Sequence, residues 1–287
     1  MPMMYRLPVQ RPLVGLTVAA SLLGLTFPAG LTAQQPPSGA TQQGHPVPVD
    51  SASRTGQTVR LRSPIVTGGD YFIAAALATT AALLIPADAS IAREFQRSGP
   101  QSSSAIRGTA EGLEAIGSSG AVIFGGSLYV AGLVSRKRGV ADMGWHTLEA
   151  IAISTQATTA LKGLFGRTRP YAASGDAQDF DLGGGFGEST RRSFPSGHTS
   201  MAFTFASVLA GETAHRWPRA HKYLAPLAYA AATGVGLARM YNDKHWASDV
   251  ALGAAIGTLS GRIVVRYGHG RPNNWIDRIG LALVPAR

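Results

Sequence analysis

The chain has 287 residues, which suits one large domain or two small ones, and its 15 % content of charged residues is low for a soluble domain. It contains no cysteine, which excludes disulfide scaffolds, zinc ribbons, iron–sulfur centres and thiol nucleophiles. The net charge of +10 favours an anionic partner, but the sequence carries no nucleic-acid-binding motif, so we expect no nucleic acid among its partners.

The N-terminus is typical of an export signal. Two arginines, Arg6 and Arg11, come before an almost wholly apolar segment that runs from Leu13 to Leu31. Because Leu31 is larger than the residue that a cleavage site prefers, an uncleaved membrane anchor stays open as the alternative. We therefore predict a signal peptide or anchor at 1–33, a flexible linker rich in Gln, Pro and Ser at 34–64, and the functional domain at 65–287.

The functional domain is predicted to be all-α. Alternation of β-branched residues is nearly absent, and apolar, Ala-rich stretches are separated by Gly, Pro and charged clusters. Six such stretches predict a bundle of about six core helices, at about 71–85, 121–134, 145–161, 200–210, 223–237 and 250–265.

Basic clusters fall between these helices in a pattern that bears on membrane topology. If successive helices alternate in direction, three basic clusters lie at one end of the bundle, as the positive-inside rule expects of the cytoplasmic side. Those clusters are 136–138, 215–222 and the pair Arg266 and Arg271. Several stretches are shorter than the roughly 20 apolar residues that a membrane span needs, so a soluble bundle stays open as the alternative.

The first of three chemical motifs places a lysine and an arginine at a helix end. Lys162 and Arg169 are seven residues apart, so two helical turns would return them to one side, and Pro170 would stop the helix. A point charge and a planar guanidinium aimed at one spot suit a phosphate or another tetrahedral oxyanion. Taken alone, a basic helix end that complements the helix dipole is the alternative.

The second motif, Pro195-Ser196-Gly197-His198, comes just before an apolar helix. Gly197 lets the backbone approach a ligand closely, and free N–H groups at a helix start form a cradle for an anion. His198 beside that cradle is placed to donate a proton to a leaving oxygen. The alternative is a helix N-cap followed by a surface histidine.

The third motif combines Arg239 with His245 and Asp249. His245 and Asp249 are spaced i, i+4 and would share one face of a helix. A carboxylate bonded to one ring nitrogen fixes the tautomer and leaves the other nitrogen as a nucleophile or base. Arg239 adds a third cation. An ion pair on a helix surface is the alternative for the His–Asp pair alone.

In this order, the three motifs resemble those of the type 2 phosphatidic acid phosphatase and vanadium haloperoxidase superfamily. The family pattern reads K-x6-R-P, then P-S-G-H, then S-R-x5-H-x3-D, and residues 162–249 match it at full spacing. The one departure is Ala238, where the family usually has Ser. The resemblance implies an all-α helical bundle like that of the acid phosphatases and vanadium haloperoxidases, over about 70–268.

The resemblance also implies a metal-independent phosphatase that works through a phosphohistidine. His245 would attack phosphorus, Asp249 would hold its ring, and His198 would protonate the leaving group and then activate water. The phosphate oxygens would be bound by Lys162, Arg169, Ser196, Gly197 and Arg239. We expect no cofactor and no metal at this site.

The expected substrate is a phosphomonoester or a pyrophosphate, and a membrane-bound bundle favours a phosphorylated lipid. We expect an exported protein of the cell envelope, in the inner membrane with a site that faces the periplasm. A soluble periplasmic acid phosphatase that takes a small phosphoester is one alternative. A haloperoxidase that holds vanadate as its cofactor is the other.

Two further segments carry polar residues that the motifs do not use. Trp145, His146 and Glu149 share a helix face, but no further ligand stands beside them in the sequence, so a packed histidine is favoured over a metal site. The segment 171–192 holds six charged residues and is predicted to be a surface loop that shapes substrate entry.

Overall fold

A computed structural model describes residues 64–283 of the chain. The predictions for the signal or anchor at 1–33, and for nearly all of the linker at 34–64, lie outside these described residues. Between 64 and 283 the chain is mainly helical and has no β-strand, although an isolated bridge joins Arg167 and Phe180. The all-α prediction is confirmed.

The six predicted apolar stretches correspond to six of the helices, numbered here in chain order. These are α1 (Gly68–Leu84), α5 (Ala121–Val134), α6 (Arg138–Phe165), α7 (Gly197–Arg216), α8 (Pro218–Tyr241) and α9 (Ala247–Gly270). Most extend beyond the predicted bounds, because their end turns are polar or charged. Four shorter helices were not predicted: α2 (Asp88–Phe95), α3 (Ser98–Ser102), α4 (Ser104–Ala115) and α10 (Trp275–Gly280). Helix α7 is central and packs against α6, α8 and α9.

The three motifs and the three basic clusters lie at opposite ends of the bundle. The motif end carries the end of α6, the start of α7, the end of α8 and the start of α9. At the opposite, basic end, Arg216 near the end of α7 pairs with Asp142 near the start of α6. There, His269 near the end of α9 lies 3.0 Å from Glu212 of α7. Helices α6 to α9 therefore alternate in direction, as the topology argument assumed.

Helices α7 and α9 approach each other closely along a row of glycines. A Cβ atom at Gly253 would lie 2.4 Å from the carbonyl oxygen of Ser196, and one at Gly257 would lie 2.2 Å from that of Ser200. Gly261 continues the row one turn further along α9. Small residues spaced by four let two helix backbones pack in direct contact. This contact fixes the first turn of α7, with the second motif, beside the first turn of α9.

Replacing Gly257 by alanine is expected to lower the stability of the chain by about 1–3 kcal/mol, because the new methyl group meets backbone that cannot move aside. Gly126 on α5 is the matched control, since a Cβ atom there meets nothing within 4 Å. Gly126→Ala is expected to leave stability unchanged or raise it by up to about 1 kcal/mol. Thermal unfolding in detergent measures both changes, and equal melting temperatures for the two variants would contradict the packing argument.

Candidate active site

The motif end of the bundle brings the three sequence motifs together. Lys162 lies near the end of α6, His198 in the first turn of α7, and Arg239 near the end of α8. The charges of Lys162, Arg169 and Arg239 all act on the His198 side chain. Those of Lys162 and Arg239 also act on His245. The predicted site residues therefore share one place in the fold.

His245 and Asp249 lie together, but not on one helix face as predicted. Helix α9 begins at Ala247, so His245 belongs to the short loop before it and Asp249 to its first turn. Asp249 accepts a hydrogen bond from the Trp246 backbone N–H at 2.8 Å, a capping contact that folds the loop back onto the helix. His245 Nδ1 is 3.4 Å from Asp249 Oδ2, and both side chains are buried. The Nε2 edge of His245 therefore points away from the carboxylate.

Asp249 is held by buried donors that the motifs did not identify. Its Oδ2 accepts a hydrogen bond from Ser193 Oγ at 2.5 Å, and its Oδ1 accepts one from Arg167 Nη1 at 2.8 Å. Arg167 is fully buried, and its Nη2 donates to Asp88 at 2.7 Å. One guanidinium thus bridges two buried carboxylates, one from α2 and one from α9. This bridge fixes the carboxylate that faces His245.

The end of α6 differs from its prediction. The helix ends at Phe165, and Gly166 follows in the left-handed conformation, with φ of 53°. The prediction that Pro170 stops the helix is wrong, because glycine in this conformation ends it one turn earlier. Arg169 therefore lies in extended backbone, and is not two helical turns from Lys162. The two cations still approach the same site, because the loop after α6 folds back over it.

The second motif starts α7 and lies against the Lys162 side chain. Ser196 is the N-cap, and its Oγ accepts hydrogen bonds from the backbone and the hydroxyl of Thr199, at 3.5 and 2.9 Å. A Cβ atom at Gly197 would lie 3.7 Å from Lys162 Cε, so the lysine passes close to the helix start. Lys162 Nζ donates to the carbonyl oxygens of residues 192 and 193, at 2.8 and 3.2 Å. Loop 171–192 therefore ends beside the site.

The model of the PAP2 superfamily matches residues 144–273, a span that contains all three motifs. This region of the chain belongs to the PAP2 superfamily. That membership confirms the resemblance drawn from the motifs.

The chain is similar to three proteins, one by sequence and two by structure. A lipid A 1-phosphatase from Porphyromonas gingivalis is 41 % identical over 71 residues, which make up 25 % of this chain but only 15 % of that protein. The transmembrane PAP2-type phosphatidylglycerolphosphate phosphatase from Bacillus subtilis has a TM-score of 0.53 and 22 % identity, over 72 % of this chain and 96 % of that one, and shows the same fold. LpxE from Aquifex aeolicus has a TM-score of 0.43 and 28 % identity, over 57 % and 88 % of the two chains.

The two histidines of the PAP2 site are neutral at pH 7. Burial lowers the pKa of His245 to about 3; Asp249 opposes this, while Lys162 and Arg239 lower the pKa further. Burial and the charge of Arg239 lower the pKa of His198 to about 4, against the opposing charge of Glu114. A neutral His245 keeps the lone pair that a nucleophile needs. A bound phosphate dianion would offset the cations and raise the pKa of His198, which would prepare it as an acid.

The pKa of Lys162 predicts how activity depends on pH. Burial lowers this pKa to about 7; the charge of Asp249 opposes the shift, and those of Arg169, Arg192 and Arg239 add to it. Lys162 therefore carries its charge below about pH 7 and loses it above. For a monoester that is a dianion throughout, kcat/KM already falls with pH as His198 loses its proton, and we expect that fall to become about tenfold steeper per pH unit above about pH 7. Lys162→Met should be slower but lack this steepening, and a Lys162→Met profile that steepens in the same way would contradict the assignment.

A carboxylate that the motifs did not identify faces the cations of the site. Glu114 of α4 accepts hydrogen bonds from Arg239 Nη1 and from Asn242 Nδ2. Arg239 is buried, and its Nε has no hydrogen-bond partner within the described range 64–283. Glu114 thus neutralises part of the charge that would bind an anion.

Replacing Glu114 by glutamine is expected to tighten the binding of inorganic phosphate about tenfold, because a negative charge beside the bound anion is removed. The inhibition constant of phosphate measures this. Glu111→Gln, one turn earlier on the same helix and exposed, is the control and should change little. Weaker binding in Glu114→Gln would show instead that the carboxylate holds Arg239 in its binding position.

Metal-ligating side chains do not gather at this site in the part of the chain that the structure describes. At the basic end, three side chains lie close enough together to bind one ion: His146, Glu149 and Asp277. The absence of a cofactor at the motif end stays a prediction. The positive charge there comes from Lys162, Arg169 and Arg239.

Proposed function

We propose that this chain is a membrane-embedded phosphatase that removes phosphate from a phosphorylated lipid through a phosphohistidine intermediate. The observation that carries the proposal is the convergence of Lys162, Arg169 and Arg239 on the two site histidines, of which His245 is buried beside Asp249. Phosphoryl transfer depends mostly on positioning and charge neutralisation. The three cations supply that neutralisation, and the histidine supplies the nucleophile.

In the first step, His245 Nε2 attacks phosphorus and the bond to the leaving oxygen breaks. The Nδ1–H group of His245 donates a hydrogen bond to Asp249, whose negative charge stabilises the positive charge that the ring acquires. His198 gives its proton to the leaving oxygen. The product alcohol or phosphate departs, and a phosphoryl group stays on His245.

In the second step, water attacks the phosphoryl group. His198, now neutral, takes a proton from that water, and the N–P bond breaks to release phosphate and free His245. The three cations and the start of α7, with Ser196 and Gly197, hold the phosphoryl oxygens throughout. The proton that His198 gives up in the first step is regained from water in the second, so the two steps together return the site to its starting protonation state.

The apolar outer surface supports a membrane location. Exposed large hydrophobic side chains occur on α1 (Phe72, Leu83), α5 (Ile123, Phe124, Val134) and α8 (Tyr223, Leu227). Two helical stretches, Gly68–Phe95 and Ala247–Gly270, are long and apolar enough to cross a membrane. The first has few buried residues, as contact with lipid requires, whereas the second is more than half buried, as a core helix is. Apolar patches of this extent mark a membrane or protein contact.

The position of the three basic clusters supports an orientation. The positive-inside rule assigns the basic end to the cytoplasm and so the motif end to the periplasm. A lipid substrate agrees with the name of the Porphyromonas gingivalis relative, although that match covers a small part of its length. We therefore propose a lipid phosphate of the cell envelope as the substrate class.

A phosphate-release assay in EDTA tests the function. We expect release from phosphatidate and from a polyprenyl diphosphate, faster than from p-nitrophenyl phosphate, and inhibition by vanadate. Release from none of the three, or release only after a metal is added, would contradict the proposal. Faster release from p-nitrophenyl phosphate would favour a soluble acid phosphatase. Halide oxidation that depends on vanadate would favour a haloperoxidase.

A further inference from the structure

A second polar cluster is buried at the basic end of the bundle, far from the proposed active site. It joins α6, α7 and α10 through His146, Glu149, Glu212 and Asp277. The sequence favoured a packed histidine here, because nothing near His146 and Glu149 in the chain offered a further ligand. The fold brings in Asp277 from the far end of the chain. The cluster is therefore richer in ligand atoms than its sequence pattern indicated.

His146 is oriented by Glu212. His146 Nδ1 lies 2.6 Å from Glu212 Oε1, and both side chains are almost fully buried. When Nδ1 carries the proton of this hydrogen bond, the lone pair is on Nε2, which lies 3.4 Å from Asp277 Oδ1. Nε2 has no hydrogen-bond partner among residues 64–283. A histidine whose one nitrogen is held by a carboxylate while the other is left for a ligand is the usual arrangement at metal sites.

Two carboxylates face the same point. Asp277 Oδ2 accepts a hydrogen bond from Asn274 Nδ2 at 2.7 Å, which directs Oδ1 to His146. Glu149 follows His146 by one turn on the same face of α6, and its buried Oε1 has no hydrogen-bond partner in the described part of the chain. Among residues 64–283, neither Glu149 nor Asp277 pairs with a lysine or arginine within 4.0 Å. Ligand atoms of the three residues all lie within 4.8 Å of one another.

From this geometry we propose that His146, Glu149 and Asp277 bind one divalent metal ion, with Zn²⁺ as the best match. Two ligand atoms bound to a tetrahedral Zn²⁺ are about 3.4 Å apart. His146 Nε2 and Asp277 Oδ1 show this separation. One neutral imidazole and two carboxylates balance the charge of the ion, and a water would complete the coordination.

A cavity leads from the surface to the buried site. The role that we infer for the bound ion is structural. A cavity of about 270 Å³ is lined by His146, Gly268 and Asp277, and gives the ion a path from outside. A Cβ atom at Gly268 would lie 2.4 Å from His146 Nε2, so any larger residue would close that path. A bound ion would fasten α10 to α6. The inference does not rest on the proposed phosphatase function.

Zinc binding to the full-length, tag-free protein tests the inference. The protein is stripped with a chelator, equilibrated with Zn²⁺ and desalted, and its zinc content and melting temperature are measured. We expect about one Zn²⁺ per chain and a melting temperature that rises by several degrees with Zn²⁺. Glu149→Gln and Asp277→Asn should each weaken the affinity by at least 10- to 100-fold and abolish the rise.

Two exposed carboxylates provide matched controls. Glu94→Gln and Asp176→Asn change the same chemical groups away from the cluster and should bind Zn²⁺ like the parent chain. Glu149 Oε1 has no hydrogen-bond partner among the described residues, so Glu149→Gln is expected to fold even where Asp277→Asn does not. If the parent chain binds no more Zn²⁺ than Glu149→Gln, the inference is wrong and the cluster is an ion-pair network around a protonated His146. Phosphate release is not a readout here, so that result would leave the phosphatase proposal intact.

Discussion

His245→Ala is expected to lower phosphate release by at least about 1,000-fold, because the variant has no nucleophile to accept the phosphoryl group. His245 is buried beside Asp249, and no other imidazole occupies that position in the described structure. The rate of phosphate release from the preferred lipid substrate measures the effect. Binding of inorganic phosphate should change far less than the rate, since the three cations remain.

His221→Ala is the control for this variant. His221 lies near the start of α8 at the basic end and is half-buried, so its removal should leave turnover within about twofold of the parent. If His245→Ala is nearly as active as the parent chain, the assignment of His245 as the nucleophile is wrong. An equal loss in both variants would point to general damage to the fold.

Arg167→Met is expected to be the most destabilising single change at the site, by about 3–5 kcal/mol, because it leaves two buried carboxylates without their shared cation. Arg167 is fully buried and lies 2.7 and 2.8 Å from Asp88 and Asp249. Thermal unfolding in detergent measures the loss. Turnover of the folded fraction should also fall, since Asp249 loses the contact that fixes it beside His245.

Arg97→Met is the matched control for this change. Arg97 is mostly exposed and pairs with Glu94 at 3.0 Å, so its replacement should alter stability by no more than about 0.5 kcal/mol. If Arg167→Met melts at the temperature of Arg97→Met, the two buried carboxylates are satisfied without the guanidinium. The proposed bridge would then have no energetic role.

The helices were predictable because their signals are local. Each apolar stretch is long enough to bury one face, so the sequence alone predicts where the core helices lie. The predicted end of α6 is wrong because it relies on Pro170 alone, whereas Gly166, in the left-handed conformation, ends the helix first. Helices α4 and α10 were missed because they are short and mixed in polarity, and only contacts made by the whole fold stabilise them.

The site was predictable only where its residues belong to motifs. Arg167 lies inside the first motif, and a third basic residue there was a usable signal that Asp249 has a cationic partner. Glu114 has no such signal, because it meets Arg239 across 125 positions of sequence. His146 and Asp277 meet in the same way, by the packing of α10 onto α6. Contacts between segments that are distant in the chain depend on the fold, so they are not predictable from local patterns in a single sequence.

Rapid quenching during turnover of a ³²P-labelled substrate tests the proposed mechanism most directly. Cleavage after lysine and arginine separates residues 245–262 from residues 193–216, so label on His245 is distinguished from label on His198. We expect transient, acid-labile label in the peptide 245–262 of the parent chain and none in His245→Ala. Full turnover with no label on His245, or label on a serine or carboxylate instead, would contradict the phosphohistidine mechanism.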